Sequence, residues 1–174
     1  FIHGNLYDEI IKVPLFVKCE KIIPRAKIIN HQVQLIDIAP TILNALNITK
    51  PKSMQGSSLL PLILKNKKHP SFFAFTEFAA SYKKIKELSK ESVRTNEWKL
   101  IYTKDIRNNN ELYELYNVNL DPEENHNVIE KERNIFNFLK SKLDDWRNKI
   151  PCSEPIAGEL TEEMKKVLKS LGYL

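Results

Sequence analysis

The stretch ESVRTNEWKLIYT, residues 91–103, decides how the chain is read. It is short, rich in β-branched and aromatic residues, and carries the turn-former Asn96. SFFAFTEF (71–78) and ELYELYNV (111–118) flank it and have the same character, and the run Asn108 to Asn110 separates the last two. Short neighbouring strands with tight connections make an antiparallel sheet. DPEEN (121–125) closes that sheet as a turn, with Pro122 where its fixed φ is useful.

Downstream, Ile135, Phe138, Leu139, Leu143, Trp146 and Ile150 recur at helical spacing. They predict a helix lying across the small sheet with that stripe facing it. A last helix begins at Thr161 as N-cap, places Glu162 and Glu163 at the positive end of its dipole, buries Met164, Val167, Leu168 and Leu171, and stops at Gly172.

Upstream the character changes. IIKVPLFVK (10–18) is almost continuously apolar, as in a strand covered on both faces, and Pro14 moves the strand proper to about Leu15. DIAPTILNALNI (37–48) predicts a short helix with Asp37 as N-cap, Pro40 in the first turn, and Ile38, Thr41, Ile42 and Ala45 on its buried face. Residues 47–70, with Pro51, Gly56, Pro61 and Pro70, form a linker in which SSLLPLIL supplies a helical turn or two. The expected fold is α/β: the edge of a larger sheet in residues 1–70, a small α+β subdomain of antiparallel sheet and packed helix in 71–150, and a tail with a helix in 151–174.

The chain has 174 residues, 42% hydrophobic and 28% charged, and starts with Phe rather than Met, so it reads as processed or as a fragment. No apolar run approaches the roughly 18 residues a membrane span needs. Lys+Arg 27 against Asp+Glu 22 is a mixed surface, and neither KNKK (65–68) nor KKIKELSK (83–90) is interleaved with the aromatics of a single-strand binder, so nucleic acid is not expected. Cys19 and Cys152 lie far apart outside any C-x-x-C and read as free thiols.

The residues alone name no activity. There is no glycine-rich phosphate loop among four glycines, and no H-E-x-x-H or G-x-S-x-G. His31, His69 and His126 stand in unrelated contexts and read as structural or solvent-facing. The adjacent acids Asp8-Glu9, Asp144-Asp145 and Glu162-Glu163 diverge, and read as caps or helix surface.

Six segments, in order, resemble those of bacterial sulfatases of the alkaline-phosphatase-like superfamily: HGNLYDEIIKVPLFVK (3–18), VQLIDIAPTILNALNI (33–48), MQGSSLLPLI (54–63), VRTNEWKLIY (93–102), ELYELYNVNLDPEENHNV (111–128) and the tail LTEEMKKVLKSLGYL (160–174). The resemblance implies the C-terminal part of a sulfatase, with residues 1–70 at the C-terminal edge of an alkaline-phosphatase-like sheet. It also implies a formylglycine nucleophile made from a Cys-x-Pro-x-Arg motif and a calcium ion. Neither KCEKI nor PCSEP fits that motif, and the Asp-His/Asn-Gly of the calcium site is missing. Nucleophile and calcium ligands are therefore expected upstream of Phe1, and this chain alone is expected to be inactive.

In the family, a Lys or His at the position of His3 binds the sulfate and helps the leaving oxygen depart. The same resemblance makes His3 both the catalytic and the substrate-binding candidate here, with Gly4 allowing a tight turn beside it. Arg94 reads as a surface ion pair, with a reach toward a substrate pocket as the alternative, and Trp98 and Tyr113 read as core aromatics of the sheet. The expected partners are a sulfated small molecule or glycan and the remainder of the sulfatase domain; an extracytoplasmic site is implied by the resemblance alone. The alternatives are a phosphonate or phosphodiester hydrolase of the same superfamily, and a non-catalytic interaction domain marked by an exposed apolar patch at VPLFV.

Overall fold

The computed structural model describes residues 5–65, 73–79, 88–149 and 162–170. The chain divides into two units, Phe1–Asp144 and Asp145–Leu174. The first is organised by a four-stranded antiparallel sheet in the order β1 (Ala74–Ala79), β2 (Leu88–Arg94), β3 (Trp98–Asp105), β4 (Asn110–Asn117).

Local polar side chains make the turns. Between β2 and β3 the Thr95 hydroxyl accepts the Trp98 amide at 2.9 Å, while the Thr95 amide donates to the Trp98 carbonyl at 2.8 Å. Between β3 and β4, Asn109 takes a left-handed backbone, φ 56°, which asparagine tolerates better than most residues. There Asp105 accepts the Arg107 amide and Asn108 that of Asn110, each at 3.0 Å. After β4, Asn127 Oδ1 accepts the Leu115 amide at 3.0 Å, so a side chain caps part of the sheet edge.

Register assigns the two faces. Val93, Leu100 and Leu115 share one face and are completely buried. Helix α4 (Arg133–Lys149) buries Leu139 and Leu143, and its Phe136 meets the Tyr113 ring edge-on at 5.4 Å on that same face. Trp98 and Tyr113 are half-buried there. Lys90, Ser92, Arg94, Lys99, Ile101, Glu114 and Tyr116 share the opposite face, which is largely polar.

The N-terminal residues cover this polar face. Leu6 packs with Ile101, Tyr116 and Val118, just ahead of the single-turn helix α1 (Asp8–Ile11). The strand expected near Leu15 does not form: residues 12–19 carry no ladder, and Val13, Leu15, Phe16 and Val17 are exposed, Phe16 to 90%. A strand is defined by a neighbour's hydrogen bonds, and no described residue supplies them here.

Two further helices follow, α2 (Ile38–Ala45) and α3 (Leu60–Lys65). Leu59, Leu60 and Ile63 pack against Ile22, Ile23, Ile29, Val33 and Ala45. Ile42, expected on the buried face of α2, is 54% exposed. In the second unit, α5 (Glu162–Ser170) carries an ion pair between Lys165 and Glu162 at 2.7 Å. Its expected cap Thr161 and terminator Gly172 lie outside the described residues, as do Ile150, His69 and Cys152. Among the described residues no helix is long and apolar enough to cross a membrane.

Candidate functional site

His3 and Gly4 lie outside the described residues, but each residue from Asn5 to Asp8 is held on the polar face of the sheet. Lys90 donates to Asn5 Oδ1 at 2.7 Å, Leu6 is buried, and the Tyr7 hydroxyl donates to Glu114 at 3.0 Å. Asp8 is gripped at both ends. Its amide donates to Glu124 Oε2, and its carboxylate accepts Arg94 Nη2 at 2.8 Å, Arg94 Nε at 3.1 Å and Lys99 Nζ at 3.0 Å.

Lys99 is the centre of the cluster. Its side chain is wholly buried on β3, and Nζ bridges Asp8 at 3.0 Å and Glu124 at 2.8 Å. Glu124 comes from the turn after β4 with a left-handed backbone, φ 55°, and its side chain is 1% exposed. Arg94 Nη1 completes the arrangement through Gln32 Oε1 at 2.6 Å and the Thr95 carbonyl at 3.0 Å. Two cations thus face two carboxylates, which lowers the cost of burying all four. Burial alone would raise the Asp8 carboxyl, but the Arg94 hydrogen bonds and the Lys99 charge outweigh it and hold the group below its ordinary range.

This geometry corrects two sequence expectations. Arg94 is not a surface ion pair; its side chain is 17% exposed, because its place on β2 faces the N-terminal cover. Asp8 stands in the first turn of α1 but belongs to the buried cluster, whereas Asp144 is helix surface, paired with Lys140 at 2.8 Å. One available signal was Lys99 itself, a charge two residues before Ile101 and therefore on a covered face of the strand.

The second motif region is a staple. Asp37 is 1% exposed; Oδ2 accepts the Gln34 amide at 2.9 Å and Oδ1 accepts the Ser57 amide at 2.8 Å. Its carboxylate therefore does not cap α2 as expected; it closes the turn Leu35–Asp37 and ties it to the loop that leads into α3. Thr41 adds a link, its hydroxyl donating to the Asp37 carbonyl at 2.6 Å and accepting the Leu59 amide at 2.8 Å.

Among the described residues no group of three His, Cys, Asp or Glu side chains is arranged to hold a metal ion. Asp8 and Glu124 are engaged with cations and Asp37 with amides, so this donor set does not fit calcium. His31 is exposed, and His126 sits on the surface beside Asp121 at 3.5 Å.

Solved structures similar to this sheet and its helices are sulfatases of the alkaline-phosphatase-like fold. BT1596, a 2-O GAG sulfatase of known structure, aligns with a TM-score of 0.53 at 26% identity over 64% of this chain and 24% of its own. Human arylsulfatase K is 30% identical over 180 residues, covering 99% of this chain and 32% of that protein. N-acetylglucosamine-6-O-sulfatase of Bacteroides thetaiotaomicron is 23% identical over 158 residues, covering 84% and 27%. Residues 1–149 match the family model described as N-sulphoglucosamine sulphohydrolase, C-terminal, and the chain belongs to that family. It spans about a quarter to a third of the length of these relatives.

Proposed function

We propose that this chain is the C-terminal portion of a sulfuric ester hydrolase, with His3 on the leaving-group side of the scissile S–O bond. The observation that carries the reading is the family match over residues 1–149, which includes the HGNLYDE segment. A formylglycine and a calcium ion held by sequence before Phe1 would supply the nucleophile and offset the charge of the sulfate. His3 would hold a proton or a positive charge beside the departing oxygen, where negative charge develops. The residues after it hold their segment against the small sheet.

The substrate is a sulfated small molecule or glycan, in line with the sulfated sugars that relatives act on by name. In the intact polypeptide His3→Ala is expected to lower turnover of an aryl sulfate by at least ~10²-fold, the low end for a positioned acid or base. Unchanged turnover would sink the assignment of His3. An aryl phosphonate assayed in parallel separates sulfatase from phosphonate hydrolase, and preference for the phosphonate would overturn the choice of reaction.

A further inference from the structure

The buried ion cluster adds directional bonds to a segment that also has an apolar attachment. Burying Leu6 against Ile101, Tyr116 and Val118 already gives residues 5–8 an apolar attachment. That contact fixes only that the segment lies on the sheet, because hydrophobic burial is non-directional. Buried ion pairs in general stabilise little or nothing relative to apolar residues of the same size, but the hydrogen bonds of this one are directional and join α1 to β2, β3 and the turn after β4.

That geometry is set from several independent elements. Asp8 is held through its backbone by Glu124 from the turn beyond β4, and through its carboxylate by Arg94 of β2 and Lys99 of β3. Gln32 pins Arg94 from the loop before α2. Sliding the segment by one residue would break all of these bonds at once. Asp8 is five positions after His3, and the anchored run begins at Asn5, two positions after it.

We infer that Asp8, Arg94, Lys99 and Glu124 position the His3-bearing segment for sulfate-ester cleavage, an inference that rests on the reading of His3 given above. Asp8 is then a positioning residue that acts through His3 and has no contact with substrate. A displacement of about 1 Å at a reacting group costs on the order of a hundredfold in rate, so loosening the anchor acts on turnover before it acts on binding.

The test is a double-mutant cycle in the intact polypeptide with para-nitrophenyl sulfate as probe. Asp8→Asn is expected to lower kcat by about ten- to a hundredfold while KM changes by less than about threefold. In a His3→Ala background the same substitution is expected to lower kcat by less than about twofold, because the group it positions is gone. An equal loss in both backgrounds, or a lower melting temperature with kcat per folded molecule unchanged, would overturn the inference and leave the reading of His3 standing. If His3→Ala alone has no effect, that reading fails and takes the inference with it. Should Asp8→Asn not fold, Arg94→Lys keeps the charge, gives up the forked grip and is judged by the same cycle.

Discussion

At the scale of single residues, Gly56 shows how closely the staple around Asp37 is built. Its φ is 78°, and a Cβ there would lie 2.2 Å from the Ile36 carbonyl oxygen. Gly56→Ala therefore meets both a backbone conformation that L-residues avoid and a collision with main chain that cannot swing away. A loss of about 2–4 kcal/mol is expected from urea denaturation, since strain at a special backbone site joins displacement of the Asp37 loop. A loss below about 0.5 kcal/mol would mean that the loop can move without disturbing the Asp37–Ser57 bond. The sequence offered Asp37 as a helix cap, and nothing in its spacing revealed that Ser57, twenty positions on, was its partner. Long-range polar pairs leave no periodic trace, which is also why Asp8 reads from sequence as a cap or helix surface and Glu124 as part of a turn.

At the scale of elements, the sheet was legible because its strands are short and aromatic and the two described turns carry their own Thr, Asp or Asn acceptors. Helix α4 was legible for the same reason, its Leu139 and Leu143 falling on the stripe at i and i+4. The strand expected at VPLFV failed because a strand is a relation between two segments, and one of them is missing from the described residues. The anchor of residues 5–8 has a pH dependence whose sign follows from Asp8. Its folded carboxyl titrates below the ordinary value of 3.8, so its contribution is complete above that value and is lost as pH falls through the folded value. Hydrogen exchange of the Asp8 amide, which donates to Glu124, is expected to show constant opening free energy from about pH 8 to about pH 5, falling only under more acid conditions. A decline beginning near neutrality would point to a different titrating group. Asp8→Asn should remove the part of the acid dependence that Asp8 carries.

At the scale of the whole molecule, family membership covers residues 1–149, while the relatives are three to four times as long. Val13, Leu15, Phe16 and Val17 form an exposed apolar run, with Phe16 at 90%, of the kind that marks a surface another polypeptide segment covers. The fold class could be reached from the patterning of strands and helices, and the family from the order of six motifs. The candidate site could be reached only in part: His3 came from resemblance, and of the ion cluster only Lys99 left a trace in the sequence. The reading of His3 makes a specific claim about the leaving oxygen, and the most direct test is a series of aryl sulfates of graded leaving-group pKa, assayed with the intact polypeptide and its His3→Ala variant. A group that offsets charge or donates a proton at that oxygen matters most when the leaving group is poor. The loss on His3→Ala is expected to grow steadily with leaving-group pKa, reaching ~10²-fold or more for the poorest. An equal loss across the series, or none, would contradict it.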